Sequence, residues 1–143
     1  MEFISAEEFL EQPVEVQKVF LDWWKPSVGD LYRWISNSTF EDVQVLNKSA
    51  IDTFKYDEFI NFKKDCIPLL AEGQLRKFIE DKTGAPSIIE PIYDKGYEIR
   101  TNSLEYDVFS GESFFKEKSY YEKLGTDLLK AYWKVAIQIA EQL

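Results

Sequence analysis

A chain of 143 residues with 26 acidic and 17 basic side chains carries a net charge of −9, a balance that repels phosphate backbones and anionic membrane surfaces. It contains no histidine and only one cysteine, Cys66, which excludes imidazole-based nucleophilic catalysis, zinc sites built from His and Cys, and an internal disulfide. The apolar share of 45%, with 16% aromatics, is too rich for a disordered chain, and the length fits one compact domain over 1–143.

The N-terminal stretch MEFISAEEFLEQ lacks the basic and apolar regions of a signal peptide, and no apolar run is long enough to cross a bilayer, so a cytosolic protein is expected. Ser5 with Glu8 three residues later reads as a capping box opening a short helix with Phe9 and Leu10. Pro13 then suits the first position of a second helix, in which Val16, Val19, Phe20, Trp23 and Trp24 form an apolar stripe while Gln17 and Lys18 face water. After Gly29, Asp30 to Ile35 and Phe40 to Leu46 flank the polar Ser36-Asn37-Ser38-Thr39 and predict a hairpin.

From Tyr56 the pattern turns helical, with Asp57 as cap, Phe59 and Phe62 on one side, Lys63 and Lys64 near the end, and Pro68 as an interruption. Gly73 to Lys82 predicts a further helix with Leu75, Phe78 and Ile79 inward and Gly84 at its C-cap. Ser87 to Tyr93 and Tyr97 to Thr101 flank Asp94-Lys95-Gly96 as a second hairpin with Gly96 in the left-handed position, and Leu104 to Phe109 reads as its third strand. The last segment, Thr126 to Gln142, sets Leu128, Leu129, Tyr132, Trp133, Ala136, Ile137 and Ala140 on one helical face. Helices at both ends with strands between predict an α+β domain, a small antiparallel sheet of two hairpins packed on the N-terminal and C-terminal helices.

No glycine-rich phosphate loop follows a strand, no calcium-loop spacing occurs, and no motif calls for a cofactor or a metal. The carboxylate pairs Asp57-Glu58, Glu80-Asp81 and Glu105 with Asp107 are cheap in so acidic a chain and mark no cleft, so no catalytic residue is assigned and an enzyme is not expected. Cys66 beside Ile67 reads as an inert buried thiol.

The remaining candidates are surfaces. Glu7, Glu8, Glu11 and Glu15 lie in a segment without a basic residue, which is either a solvated face or a docking surface for a basic partner. The neighbours Trp23-Trp24 and Tyr120-Tyr121 diverge on regular structure, so some aromatic surface reaches the rim; Trp24, Trp34 and Tyr121 are the candidate anchors. Arg33, Arg76 and Arg100 are the available hooks for an anionic small molecule, if they converge on a pocket.

Three stretches, Phe20-Leu21-Asp22-Trp23-Trp24-Lys25-Pro26-Ser27-Val28-Gly29-Asp30-Leu31-Tyr32, Cys66 to Glu80 and Asp127 to Ala136, resemble small acidic proteins encoded by phages and prophages of Gram-positive bacteria (Firmicutes). The resemblance covers most of the chain and transfers no functional residue; it implies a setting, the cytoplasm of an infected or lysogenic bacterium. Together with the charge and the aromatics it leads to the expectation of a non-catalytic protein that binds and inhibits or redirects a host protein, a defence-system or basic nucleic-acid-handling one, without touching nucleic acid or membrane itself. The alternatives are a small-molecule or nucleotide-signal sponge and a phage housekeeping or assembly factor.

Overall fold

Ser5 caps the first helix as its spacing predicts: the Glu8 backbone N–H donates to Ser5 Oγ at 3.1 Å, and Ser5 Oγ–H donates to Glu8 Oε1 at 3.2 Å. The computed structural model describes residues 2–35, 43–53, 62–84 and 87–143. Within them lie α1 (Ala6–Leu10), α2 (Val14–Trp23), β1 (Leu31–Trp34), β2 (Gln44–Val45), α3 (Lys48–Thr53), β3 (Cys66–Pro68), α4 (Glu72–Thr83), β4 (Ser87–Tyr93), β5 (Tyr97–Tyr106), β6 (Ser113–Tyr121) and α5 (Leu128–Glu141). The chain is α+β, and the predicted domain 1–143 contains two compact units, Phe3–Leu70 and Ala71–Leu143. Among the described residues no helix is long and apolar enough to cross a membrane.

In the first unit, α2 buries Val16 and Phe20, and Phe20 meets Phe9 of α1 edge to face with ring centroids 6.3 Å apart. Pro13 sits at the N-cap, one position before the helix it was expected to begin. Gln17 is not a plain solvent residue, since its amide donates to the Gln12 carbonyl at 2.8 Å and ties α2 to the end of α1. The sheet has the order β2-β1-β3, all antiparallel, with Leu31 opposite Val45 and Trp34 opposite Cys66. Pro68 therefore ends an edge strand, where its missing N–H costs no ladder bond. Residues 62–65 are helical and lead into β3, and Phe62 is buried; the expected cap Asp57 and core residue Phe59 lie outside the described residues. The sequence reading passed over α3, whose start is marked by Asn47 Oδ1 accepting from the Ala50 backbone N–H at 2.8 Å.

In the second unit, α4 buries Leu75, Phe78 and Ile79 as predicted and stops at Gly84, whose φ of +89° and N–H to the Glu80 carbonyl make it a glycine C-cap. Asp127 caps α5 by accepting from the Lys130 N–H; of the predicted stripe Leu129, Tyr132, Trp133, Ala136 and Ala140 are buried while Leu128 and Ile137 are half-buried, and Ala131, Val135 and Ile139 are buried as well, because α4 and β5 both pack on the helix. The second hairpin forms in the predicted place, and Gly96 has the expected positive φ, +147°.

Two features of the expected sheet are corrected. The two hairpins do not share one sheet: each unit has its own three-stranded sheet, the second in the order β4-β5-β6. Leu104 to Tyr106 is not a third strand but the end of β5, which runs unbroken for 10 residues, and the third strand is β6. Thr101 and Asn102 carry on where a break was expected because the register irregularity between them is absorbed by β6.

Candidate functional site

The length of β5 relative to its neighbours creates the most exposed feature of the second unit. The pairing of β4 with β5 ends at Ser87 opposite Ser103, whereas β5 and β6 stay paired to Tyr106 opposite Ser113. Beyond Ser103 the sheet is thus a two-stranded ribbon. Its turn is closed by the Asp107 N–H to the Glu112 carbonyl and the Gly111 N–H to the Asp107 carbonyl, each at 2.9 Å, with Gly111 at φ +72°. The Phe109 N–H donates to Asp107 Oδ1 at 2.9 Å, and that bond holds the Asp107 carboxyl below its ordinary value.

The side chains of this ribbon reach solvent. Leu104, Tyr106, Phe114 and Phe115 are all exposed, Val108 at the turn is 81% exposed and Phe109 is fully exposed. Opposed residues in an antiparallel pair share a face, so Leu104 and Phe115 stand together, with Tyr106 next along β5 on the same side and Phe114 on the other. That side is the one turned away from the buried Ile99 and Thr101, whose face of β5 meets α5. It continues along the strands into charge. Arg100 Nε lies 3.0 Å from Glu117 Oε1, at an angle short of a hydrogen bond, and Nη1 lies 3.9 Å from Glu90 Oε2. The guanidinium also stands over the Tyr120 ring, 5.8 Å from its centroid. The Tyr120 hydroxyl donates to Glu98, an acceptor that pushes the phenol up to about 12. This outer face therefore combines one guanidinium, three carboxylates (Glu90, Glu98 and Glu117) and an apolar end.

The residues singled out from sequence as partner contacts divide between the two units, with Tyr121 in the second and the others in the first. Glu7 is exposed and paired with Arg33 Nη1 at 2.8 Å; its backbone hydrogen bond, then Arg33, hold its carboxyl below the ordinary value. Glu8 is engaged in the Ser5 capping box, Glu11 is the exposed C-cap of α1, and Glu15 is exposed in the first turn of α2, where an acid suits the helix dipole. Trp24 is corrected: it is 2% exposed and cannot be an anchor, because its indole N–H is satisfied inside the fold by Asp30 Oδ2 at 2.9 Å. Its neighbour Trp23 is the half-buried one of the pair. Trp34 is half-buried against Tyr32 and Phe62, with centroids 5.5 and 5.4 Å away. Tyr121 is half-buried opposite Ile99, on the helix-facing side of its sheet.

Each of the three arginines is engaged within its own unit. Arg33 belongs to the first unit and lines a cleft of about 300 Å³ with Phe3, Val43 and Leu69, but its guanidinium is already on Glu7. Arg76 lies on α4 with its guanidinium over Tyr132, and Arg100 lies on the opposite side of the second sheet from the helices. Of the carboxylate pairs, Asp57-Glu58 lies outside the described residues, Asp81 is bonded to Lys77 Nζ at 2.6 Å, and Asp107 closes the ribbon turn. Sequence reading missed Leu104, Tyr106, Val108, Phe109, Phe114 and Phe115 as a group; the turn residues Asp107 and Gly111 between two aromatic runs were the available signal.

Cys66 is 1% exposed, and burial, reinforced by Asp65, pushes its thiol up to about 12 from an ordinary 9.0. The folded protein should therefore give no reaction with a thiol reagent at pH 8, and full reaction after unfolding in guanidinium. The same shift has a defined sign. Below about pH 9 both states keep the proton; between 9 and 12 only the unfolded chain gains by ionising, so the contribution of Cys66 to stability falls as pH rises through that window. Against known protein families, curated protein sequences and solved structures, the chain finds no match.

Proposed function

We propose that the chain is a non-catalytic interaction protein that binds and inhibits or redirects a host protein of a phage-infected or lysogenic Gram-positive bacterium, a defence factor being the favoured target. The single observation that supports this reading is the β5–β6 ribbon, which carries six apolar side chains into solvent from Leu104 to Phe115, with Phe109 fully exposed. Apolar side chains clustered on one exposed ribbon cost solubility and folding fidelity, and in soluble proteins such surface marks contact sites. Aromatic anchors beside a polar, solvent-accessible border are the usual composition of a protein interface, and a charge of −9 speeds encounter with a basic target. The N-terminal acids Glu7, Glu8, Glu11 and Glu15 belong to the long-range field in this reading, and the ribbon takes over the anchor role assigned to Trp24, Trp34 and Tyr121.

The test is affinity capture from a Gram-positive bacterial lysate, followed by binding of each purified captured protein to the wild type and to V108S/F109S. Truncating the two most exposed apolar side chains, at the ribbon turn, should weaken the true complex at least about tenfold without shifting the melting temperature. A captured set identical for wild type and variant, or no direct complex with any purified candidate, would overturn the reading.

A further inference from the structure

The outer face of the second sheet has a directional composition that specifies what can cover it. The Leu104–Phe115 rung is apolar, and along β5 and its partners come Glu117 opposite Asn102, Glu90 opposite Arg100, and Glu98. At about 3.3 Å per residue these carboxylates stand roughly 7, 13 and 20 Å from the apolar rung. The lone cation among them, Arg100, is held by Glu117 and covered by the Tyr120 ring, while the Glu90 and Glu117 side chains remain 52% and 54% exposed. The helix-facing side of the same sheet is already occupied by α4 and α5.

Resting on the reading of the ribbon as a contact surface, we propose that its occupant is a basic amphipathic helix of the partner protein, with apolar residues at one end seated on Leu104, Tyr106 and Phe115. Its Lys or Arg residues, about 5, 9 and 13 positions along the same face at about 1.5 Å per residue, meet the Glu117, Glu90 and Glu98 carboxylates in turn. Charge decides against the rival occupants. A second copy of this chain would set three carboxylates against three across the two-fold axis, and its overall −9 against −9. Strand addition along the open β6 edge by a second copy would, when centred on Glu117, oppose Glu117 to itself and Lys116 to Lys118, like charges that disfavour the pairing. A lipid surface would meet Glu105, Asp107 and Glu112 around the ribbon tip.

The experiment titrates the intact chain, by NMR and by calorimetry, with two synthetic helical peptides that share an apolar stripe. One carries Lys and Arg at the spaced positions and the other carries Glu. The basic peptide should shift the amide signals of 97–106 and 113–121 and bind at least tenfold more tightly than the acidic one. E90Q/E117Q should remove most of that preference, and its effect should shrink as salt rises toward 0.5 M, where charge pairs are screened. Phe115→Ser should weaken both peptides. If F115S weakens both peptides but E90Q/E117Q changes neither, the contact surface stands and the basic helix is overturned. If neither peptide touches the ribbon, or if neutral phosphatidylcholine vesicles or a ribbon-dependent dimer in sedimentation take its place, the proposal and the surface fall together.

Discussion

Replacing Trp24 by alanine should destabilise the first unit by about 3–5 kcal/mol, the range for removing a large buried aromatic side chain. The indole is 2% exposed, packs on Phe62 with centroids 5.9 Å apart, and belongs to a cluster with Leu46 and Cys66. Its N–H to Asp30 Oδ2 does more than satisfy a buried donor. The same carboxylate oxygen accepts from the Ser27 N–H at 2.9 Å, and the Asp30 N–H returns to the Ser27 carbonyl at 3.0 Å, so the indole pins the turn that delivers the chain into β1. Beside that turn, the Leu46 N–H donates to the Asp30 carbonyl and the Gly29 N–H to the Leu46 carbonyl, setting the register in which Leu31 meets Val45. Trp24→Phe keeps most of the packing and loses the hydrogen bond, so it should cost about 1 kcal/mol. Urea unfolding followed by circular dichroism separates the two. A W24A protein with unchanged stability and weakened partner binding would show that Trp24 is a surface anchor after all.

Which parts of the fold were legible in the sequence follows from how local their causes are. The Ser5–Glu8 box, the α2 stripe, the Gly84 cap and the face of α5 each depend on residues within a few positions of one another, and each is where the periodicity puts it. The β6 strand has no such signature. Ser-Phe-Phe-Lys-Glu-Lys-Ser-Tyr-Tyr does not alternate cleanly, because most of it faces solvent on both sides and one position is consumed by the irregularity near Thr101. Its existence depends on β5, which offers an edge that the sequence of β6 does not record.

The choice between Trp23 and Trp24 depends on Asp30, six residues away in a turn, and not on the helical stripe, which contains both. The arginines were grouped as hooks by residue type, yet Glu7, Tyr132 and the Glu117–Tyr120 face each claim one of them. The ribbon is exposed because β4 stops at the pair Ser87–Ser103 while β5 continues, a difference in strand length that exists only once the strands are paired. A candidate surface of this kind is therefore hidden from pattern reading even when every strand is found.

Gly96→Val should be the most damaging glycine substitution in the second unit, at about 2–6 kcal/mol. Two costs add. Gly96 has φ +147°, a conformation that residues with a Cβ hold only under strain of about 1–3 kcal/mol, and a branched side chain adds an overpacking cost of similar size. A Cβ there would lie 3.1 Å from the Gly125 carbonyl oxygen and 3.5 Å from its carbon, so backbone and not a flexible side-chain end would have to yield. That carbonyl is not free to move, because it accepts from the Tyr97 N–H, while the Leu124 N–H donates to the Tyr97 carbonyl at 3.2 Å. The pair of bonds ties the segment before α5 to the first residue of β5, so displacing Gly125 loosens the approach of the best-buried helix to its sheet. Gly73 supplies the contrast. It lies in the first turn of α4 without a positive φ and with no atom within 4 Å of a would-be Cβ, so Gly73→Ala should stabilise the chain through helix propensity, by less than the roughly 1 kcal/mol of a helix-interior site. Opposite signs for G96V and G73A in the same denaturation series would establish that the second hairpin is fixed by close approach of two backbone segments; equal and small effects would mean that the Gly96–Gly125 contact relaxes freely and does not hold α5 to the sheet.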